Sequence, residues 1–390
     1  MDFIKKNTLL IGIINFLTEF RLYGVIAILY FTEVTGSMIL GMSIFSAAML
    51  STAVFELPTG ILSDTIGRKK TIVLGTFSAL VSIVFYAFGG NIFNLLTGAF
   101  FEGLSIALFS GNNDAFLFNL LKSENKEDAY KTYLGKTRAM SHLALSIAAV
   151  FGGVLLYFSS YAFILWLSVI PKALCIVFSM FLNEPKAVTE REKINPYQHF
   201  IEVLHEIRSN KKLLKIVVAE SLSLGAGEAS YQFRATFLKM VWPIWAIGLA
   251  GTLGDAGATL SFWISGKWIK RSGYQGIIIY GKIYSLLVSI TAFLMKNVLS
   301  PILLTTTSLF YGVTSVAKND LSQQLYSDKH RASMGSFQSF VGSLAYAVLA
   351  IVIGWVADSF GVVMALLSFQ MFNAAALMIY LNLFKKEKAR

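Results

Sequence analysis

The stretch "GILSDTIGRKK", Gly60 to Lys70, sets the interpretation of this chain because it concentrates charge between two apolar segments. The sequence "MILGMSIFSAAMLSTAVFELPT" precedes it, and "TIVLGTFSALVSIVFYAFGG" follows it. Each flanking segment reaches the ~20 residues that a membrane-crossing helix needs. The charged stretch therefore predicts a short turn at a membrane surface, between two spanning helices.

The composition of the whole chain agrees with a membrane protein. Of its 390 residues, 55% are hydrophobic and 14% are charged, whereas soluble proteins are about 25% charged. The single cysteine, Cys175, excludes a disulfide framework, and the four histidines lack the spacing of a zinc site. The sequence also lacks a glycine loop of the kind that cradles phosphates. We therefore expect no metal, no other cofactor and no enzyme activity such as ATP hydrolysis.

Twelve apolar spans follow one another along the chain, and each approaches or exceeds the length needed for one crossing. Only helices and closed barrels satisfy the backbone hydrogen bonds in lipid, and spans of this length indicate helices. The sequence therefore predicts an all-α membrane protein with twelve transmembrane helices. The spans cover residues 7–31, 36–63, 71–89, 92–120, 137–158, 160–183, 213–239, 242–266, 275–295, 299–326, 332–356 and 359–384.

The basic residues are distributed very unevenly between the two sides of these spans. On one side, the termini and loops carry 26 of the 33 lysines and arginines, while the opposite side has only Lys239 and Lys296. The positive-inside rule makes the basic side cytoplasmic. We therefore expect a multi-pass protein of the cell membrane (plasma or inner membrane) with both termini in the cytoplasm. The net charge of +11 then reflects topology, and we expect no nucleic-acid partner.

The longest loop, residues 184–212, divides the chain into two halves of six spans each. It contains "PYQHFIEVLHEIRSNKK", in which Phe200, Val203, Leu204 and Ile207 recur at helical spacing. This pattern predicts an amphipathic helix that lies on the cytoplasmic surface. The expected organisation is an N-terminal six-helix bundle in residues 1–183, this cytoplasmic linker, and a C-terminal six-helix bundle in residues 213–390.

The charged turn resembles the loop signature of the major facilitator superfamily, in which glycine, aspartate, a second glycine and a basic cluster recur at fixed spacing. The resemblance extends to the whole chain in architecture. It implies the major facilitator fold, with two six-helix bundles that transport by alternating access, and a conformational gating role for Gly60, Asp64, Gly67 and Arg68. The matching positions are Gly60, Leu62, Asp64, Gly67, Arg68, Lys69 and Lys70.

Each residue type in this turn has a physical reason. Gly60 would let helices approach closely, and Gly67 would permit a tight turn. Asp64 could accept hydrogen bonds from the N-terminus of a neighbouring helix or pair with a cation. We expect Asp64 to contact the start of span eleven, near Ala332 and Ser333. A second, degenerate copy of the turn, "SGKWIKRSGYQ", follows span eight and lacks the aspartate.

Two further motifs resemble the drug–proton antiporters of this superfamily only in part. The run "AAVFGG", Ala148 to Gly153, keeps the last two glycines of their span-five motif but has alanines in place of Gly-Pro. In span four, "AFFEG" has Ala99 where those antiporters carry an arginine, with Glu102 just before Gly103. The resemblance to this branch therefore does not supply a proton-relay arginine.

Ionisable residues inside a bilayer are costly, and they are functional candidates for that reason. Here they concentrate in spans one, four, seven and ten, the helices that line the central cavity in proteins of this superfamily. Within these spans, polar residues recur every three or four positions and so share a helix face. The candidate substrate-binding and proton-binding residues are Asn15, Glu19, Arg21, Tyr23, Glu102, Asn113, Asp114, Glu220, Glu228, Tyr231, Arg234, Tyr311 and Lys318.

Three of these acids are expected near the middle of the bilayer. Glu19 lies about 18 Å and Glu228 about 22 Å from the cytoplasmic ends of their spans, and Glu102 lies about 15 Å from the outer end of its span. A carboxyl group removed from water can take up a proton at physiological pH, so all three are candidate proton carriers. Alternatively, they only pair with buried cations, such as Glu19 with Arg234 or Glu102 with Arg21.

The sequence thus predicts a secondary transporter, and it favours proton-coupled export of an amphipathic small molecule. A second hypothesis is proton-coupled transport of a polar metabolite, such as a sugar or an organic ion, whose anionic group Arg21, Arg234 or Lys318 could hold. A third is a facilitator-like protein that no longer transports and acts as a sensor. The expected partners are a small-molecule substrate, protons and the lipid bilayer, and we expect a monomer.

The charge asymmetry predicts that a reporter fused after Arg390 is active in the cytoplasm. Paired fusions of alkaline phosphatase and green fluorescent protein check this, because the first is active only outside and the second fluoresces only inside. A fusion in the loop that contains Lys296 serves as the control and should give the opposite pattern. Phosphatase activity from the C-terminal fusion would contradict the predicted topology.

Overall fold

A computed structural model describes residues 3–126, 129–184, 196–323, 325 and 331–388, and every regular element in them is helical. The side chains of Asp64, Ala332 and Ser333 lie outside the described part, and so does the predicted contact between them. The helices are α1 (Phe3–Glu19), α2 (Ala27–Thr35), α3 (Met38–Ile66), α4 (Arg68–Phe88), α5 (Ile92–Phe109), α6 (Asn112–Lys122), α7 (Tyr130–Phe158), α8 (Tyr161–Met180), α9 (Pro196–Ser209), α10 (Lys211–Val241), α11 (Ile247–Met295), α12 (Ser300–Thr306), α13 (Ser308–Gln323), α14 (Arg331–Phe360) and α15 (Val362–Lys388).

Nine helical segments among the described residues are long and apolar enough to cross a membrane. One of them, Ile244–Met295, covers predicted spans eight and nine, and its helix α11 is interrupted at Gly273, where φ is 69°. Predicted spans seven and ten correspond to α10 and to α12 with α13, which are not among the nine. Both regions carry charged residues within the spans, such as Glu228 and Lys318, which lower their hydropathy. The number of twelve crossings therefore stays a prediction.

The chain forms two compact units. The first contains Met1–Ile26 and Ala47–Pro196, and the second contains Ala27–Ser46 and Tyr197–Arg390. The chain therefore leaves the first unit just before α2 and re-enters it within α3. The predicted bundle boundaries at residues 183 and 213 stay a prediction.

In the first unit, α1 packs against α6, α7 and α8, while α4 packs against α5, α6 and α8. A fully buried apolar cluster that includes Ile11, Ile14, Ile72 and Phe116 fills the space between these helices. At Gly152, helix α7 comes so close to the carbonyl group of Leu22 that a Cβ atom at this position would overlap the oxygen. Gly152 of the "AAVFGG" run thus serves close backbone packing against the segment that follows α1.

In the second unit, α10 packs against α14 and α15, and α11 packs against α13 and α15. The linker helix α9 also belongs to this unit, and its apolar face is covered by protein. Val203 and Ile207 are buried in a cluster with Leu213 and Val217 of α10 and with Met334 of α14. The apolar residues of α9 are therefore explained by its packing against neighbouring helices.

The start of α3 is held in the second unit by Asp358, near the end of α14. The Asp358 carboxylate accepts hydrogen bonds from the Ser37 hydroxyl at 2.7 Å and from the backbone N–H groups of Met38 and Ile39, both at 2.9 Å. These N–H groups belong to the first turn of α3 and have no partner within the helix. A carboxylate at a helix N-terminus is also favoured by the helix dipole. This contact explains why the first turns of α3 group with the second unit.

We predict that Gly152→Ala lowers the free energy of unfolding by about 1–3 kcal/mol, because the new methyl group must displace the backbone at Leu22. Gly135→Ala in the same helix is the matched control, since no atom lies within 4 Å of a Cβ atom placed there. An alanine in a helix interior is favoured over glycine by about 0.5–1 kcal/mol, so the control should be neutral or slightly stabilising. Thermal unfolding of the purified protein in detergent measures both, and equal melting temperatures for the two variants would contradict the prediction.

Candidate functional site

The candidate site is built around a break in the first apolar span. Helix α1 ends at Glu19, and the chain continues irregularly to a 3-10 turn at Gly24–Ile26. Backbone hydrogen bonds from Arg21 N to Glu19 O (2.8 Å) and from Gly24 N to Arg21 O (3.0 Å) shape this segment. The break turns the backbone so that Glu19 and Arg21, two residues apart, can reach one another, which neighbours at this spacing on a continuous helix do not.

Arg21 lies between two carboxylates. Its Nη2 atom donates to Glu19 Oε2 at 2.7 Å, and its Nη1 atom donates to Glu102 Oε1 at 3.3 Å. The second oxygen of Glu102 accepts a hydrogen bond of 2.7 Å from the hydroxyl of Tyr86, a fully buried residue of α4. The predicted ion pair between Glu102 and Arg21 is therefore confirmed. The three charged side chains are 20–32% exposed, so they are accessible from a cavity.

Lys172 of α8 brings a fourth charge to this place. Its Nζ atom donates to the carbonyl oxygen of Thr18, one of the last carbonyl groups of α1. Such carbonyl groups have no partner within the helix, and a cation near a helix C-terminus is electrostatically favoured. The side chain is almost completely buried, and it lies within electrostatic range of Glu19 and Glu102. Two acids, Glu19 and Glu102, are thus balanced by two bases, Arg21 and Lys172; we call these four residues the charge cluster.

The charge cluster lies on the wall of a cavity of about 370 Å³ that lies entirely within the first unit. Seven of the residues predicted for substrate or proton binding line this cavity. At one end, Asn113 donates to Asn15 at 3.2 Å, and Arg138 pairs with Asp114 at 2.7 Å. Most of the lining is polar, with Ile106, Phe109 and Ala79 as apolar members. The seven predicted residues are Asn15, Glu19, Arg21, Tyr23, Glu102, Asn113 and Asp114.

A second helix break positions the far end of the cavity. Helix α5 ends at Phe109, and Gly111 has a φ of 65°, a left-handed conformation that favours glycine. The Ser110 hydroxyl donates to Glu56 of α3 at 2.8 Å, which holds the break in place. This hydrogen bond gives Glu56 a structural role beside the cavity. Asn113 and Asp114 belong to α6, which starts after the break. They therefore line the cavity from a different helix than Glu102, which belongs to α5.

The other six predicted residues lie in the second unit and do not line this cavity. Glu220 accepts a hydrogen bond from Ser322 at 3.1 Å, and the Arg234 guanidinium lies 6.0 Å from the centre of the Tyr231 ring. Tyr231 and Tyr311 are about half exposed. The position of Glu228 near the middle of the bilayer and the pairing of Glu19 with Arg234 stay predictions. The six residues are Glu220, Glu228, Tyr231, Arg234, Tyr311 and Lys318.

The charged turn that precedes α4 is organised within the first unit by a carboxylate that the sequence did not identify. Glu184, just beyond α8, accepts hydrogen bonds from the backbone N–H groups of Arg68 at 2.9 Å and Lys69 at 2.7 Å. It fills, at the start of α4, the kind of role that was considered for Asp64. Gly67 adopts a φ of 95°, which confirms that this position needs a glycine for the turn.

Two other residues of this region, Gly60 and Asn112, were not described correctly or at all by the sequence. No atom lies within 4 Å of a Cβ atom added at Gly60, so the expected close helix approach at this residue is wrong for the described part of the chain. Asn112 ties the turn to the start of α6, because it accepts from Ser63 at 2.6 Å and donates to the Arg68 carbonyl oxygen at 3.1 Å. The gating role of Gly60, Asp64, Gly67 and Arg68 stays a prediction.

Sequence reasoning missed Tyr86, Asn112 and Glu184 and left the role of Lys172 open. Tyr86 follows Ser78 and Ser82 at four-residue steps in span three, and Lys172 lies between Ser168 and Cys175 at helical spacing in span six, so each belongs to a short row of small polar residues that sequence reasoning did not use. Lys172 could still have been found by the rule that a charge within a span needs a partner. No local signal identifies Glu184 as the partner of a turn 115 residues earlier.

We predict that Tyr86→Phe lowers the free energy of unfolding by about 1.5–3 kcal/mol, because the charged acceptor Glu102 loses the hydrogen bond that the Tyr86 hydroxyl donates. Tyr157→Phe in α7 is the matched control, since Tyr157 is 63% exposed and its hydroxyl does not touch the charge cluster. Thermal unfolding in detergent checks the difference between the two variants. An unchanged melting temperature for Tyr86→Phe would show that Glu102 does not depend on this hydroxyl.

Comparison with known proteins shows which family has this architecture. The model of the Major Facilitator Superfamily matches residues 8–348. The uncharacterized transporter BU466 of Buchnera aphidicola subsp. Acyrthosiphon pisum is 29% identical over 187 residues, which are 46% of this chain and 46% of that protein. The alignment therefore spans a little less than half the length of this relative. The uncharacterized MFS-type transporter YxaM of Bacillus subtilis is 21% identical over 317 residues, 79% of this chain and 78% of that protein.

Among solved structures, a mutant of the nucleoside transporter NupG superposes with a TM-score of 0.82. The superposition covers 97% of this chain and 99% of that one, at 14% sequence identity, so the likeness concerns the fold alone. The family match covers most of the sequence, from the first helix into α14. This chain therefore belongs to the major facilitator superfamily, a family of multi-pass membrane transporters.

Proposed function

We propose that this protein is a proton-coupled secondary transporter that moves a polar metabolite across the membrane by alternating access. The observation that carries the proposal is the position of Arg21 between Glu19 and Glu102 on the wall of a polar cavity. Glu19 and Glu102 share Arg21 as an ion-pair partner. When one carboxylate takes up a proton, the other can still pair with the guanidinium group.

The balance of charges links proton binding to substrate binding. With both acids ionised, the charge cluster contains two negative and two positive groups. A proton on Glu19 or Glu102 leaves one positive charge of this partly buried cluster without a counter-charge, which is costly. A negative or strongly dipolar group of a substrate would compensate that charge. Proton and substrate would therefore favour one another's binding at this cavity.

The location of Arg21 in the chain could couple proton and substrate binding to a conformational change. Arg21 belongs to the irregular segment after α1, and the chain passes from the first unit to the second between Ile26 and Ala27. A change in the partners of Arg21 acts directly on backbone that leads into the second unit. Transporters commonly use such interrupted helices, because irregular backbone is tolerated in a membrane where it lines a cavity.

The lining of the cavity favours a polar metabolite over the amphipathic compound that the sequence favoured. Besides the charge cluster, Asn15, Ser82, Ser105 and Asn113 present hydrogen-bonding groups to it. Such groups discriminate strongly against molecules that leave them without partners. Ile106 and Phe109 provide an apolar side, and this observation keeps proton-coupled export of an amphipathic molecule as the second candidate.

A ligand screen separates these two candidates. A ligand that binds the folded state raises the melting temperature in a concentration-dependent manner. We expect polar metabolites with an anionic or zwitterionic group to stabilise the purified protein, and lipophilic cations to have little effect. Stabilisation by lipophilic compounds alone would favour export of an amphipathic molecule.

Glu19→Gln and Glu102→Gln test the proton coupling. Glutamine retains the size and part of the hydrogen bonding of the acid but cannot titrate. If either acid carries the proton, its variant should lose accumulation driven by a pH gradient in liposomes while it keeps substrate binding or exchange. Glu124→Gln is the matched control, because Glu124 is an exposed acid of the same unit outside the cavity.

Melting temperatures of the same variants distinguish coupling from a structural role. If the acids only compensate Arg21 and Lys172, glutamine should lower stability and leave gradient-driven transport intact, since a buried cation loses its partner. Full gradient-driven transport by both variants would overturn the role of Glu19 and Glu102. Glu228 would then be the acid to test.

A further inference from the structure

A second group of ionisable side chains lies inside the second unit, away from the charge cluster. Glu220 of α10, Lys282 of α11, Lys318 of α13 and Tyr380 of α15 come from four helices that pack together. Glu220 lies about 14 Å from the start of α10, and Lys318 and Tyr380 lie about 8 Å and 12 Å from the ends of their helices. All three helix ends belong to the predicted cytoplasmic side, so the three residues are expected within about 8–14 Å of that side.

The polar contacts of this group are made with hydroxyl groups. Lys282 Nζ donates to Ser223 Oγ at 2.7 Å, and Glu220 Oε1 accepts from Ser322 Oγ at 3.1 Å. Lys318 forms no hydrogen bond within the described residues, and none of the ion pairs there includes Glu220, Lys282 or Lys318. Glu220 is nevertheless within electrostatic range of both lysines. The arrangement thus holds two cations and one anion, without a close pair among them.

The surroundings of these charges are apolar. Ala219, Ile278, Val313 and Ala317, all fully buried, belong to the cluster of side chains that also contains Tyr380. An excess positive charge in such surroundings is costly unless a counter-charge is close. In the first unit, by contrast, the two acids and two bases of the charge cluster balance one another.

A separate observation also indicates a missing partner. The Tyr380 side chain is fully buried, and its hydroxyl group has no hydrogen-bond partner among the described residues. The Lys282 ammonium group lies 5.8 Å from the centre of the Tyr380 ring, and Glu220 is within electrostatic range of the hydroxyl. Buried hydroxyl groups normally have a partner, so this unpaired donor beside the Lys282 ammonium group has the chemistry of one end of an anion site.

We infer that Lys282, Lys318 and the Tyr380 hydroxyl form a binding site for a carboxylate or phosphate group, with Glu220 as the residue that limits its affinity. The two ammonium groups supply charge and the hydroxyl supplies a directed donor, which together match an oxyanion. Glu220 keeps the net charge of the empty site at one. The inference rests on the proposed transport of a polar metabolite and adds that this metabolite carries an anionic group, which the second unit binds.

The test measures anion binding to the purified full chain in a neutral detergent, so that no lipid headgroup supplies the anion. Thermal unfolding is followed as sodium phosphate or sodium acetate is titrated in, at constant pH and at an ionic strength held constant with sodium chloride. We expect a saturable rise in melting temperature with at least one of these oxyanions. The absence of any saturable rise in the parent protein would overturn the inference.

Three variants and one control locate the site. Lys282→Gln and Lys318→Gln should each weaken the apparent affinity by about tenfold or more, because each removes one charge-assisted contact. Glu220→Gln should strengthen it, because it removes the repelling charge. Lys270→Gln, an exposed lysine on the same helix as Lys282, should behave like the parent protein.

The lysine variants are expected to weaken anion binding and Glu220→Gln to strengthen it. The test therefore stays decisive if a lysine variant fails to fold. Unchanged affinity in both lysine variants, or an unchanged or weaker affinity in Glu220→Gln, would overturn the inference and assign these residues to packing. The measurement uses no proton gradient and no transport. A negative result therefore leaves proton coupling at Glu19 and Glu102 intact, and a failure of that coupling leaves anion binding measurable.

Discussion

The compensation of charge inside an apolar protein is the constraint on which the arrangement of the first unit depends. Arg21 satisfies it by contacting Glu19 at 2.7 Å and Glu102 at 3.3 Å, and Lys172 adds the fourth charge that balances the set. Removing charged groups from water costs several kcal/mol for each, so such groups persist only where their partners are held in place. The helices that carry these four residues are therefore bound to one another by electrostatics as well as by packing.

Interrupted helices make this compensation possible. Helix α1 ends at Glu19, and α5 ends shortly before Gly111, so two spans change direction beside the cavity. A continuous helix would direct Glu19 and Arg21 to different faces, since residues two apart do not meet. The carbonyl groups freed at the first break receive the Lys172 ammonium group, and the cavity makes irregular backbone tolerable at membrane depth.

The buried charges of the two units have different partners, and this difference is consistent with different ligands for the two units. In the first unit, oppositely charged side chains contact one another on the cavity wall, where a change of protonation alters the balance. In the second, Lys282 and Glu220 contact serine hydroxyls, and Lys318 adds an excess of positive charge. A proton site in one unit and a site for an anionic group in the other would place both ligands on a molecule whose chain passes three times between its units.

The sequence by itself determined the class of the protein, because apolar length and charged turns follow directly from the physics of the bilayer. The stretch from Gly60 to Lys70 indicated a turn between two helices, which the structure has at Gly67. The polar residues of spans one and four also indicated seven of the residues that line the cavity, since helical periodicity specifies which side chains share a face.

Tertiary structure alone decided which partners meet across that face. Glu184 binds the start of α4 from 115 positions away, and Tyr86 of α4 reaches Glu102 of α5. Charges within α10 and α13 left the number of crossings open, and no atom of the described residues approaches a Cβ atom placed at Gly60, where a close helix contact was expected. Periodicity specifies a direction around one helix axis, whereas partners depend on the breaks, crossings and depths of several helices, which no local pattern encodes.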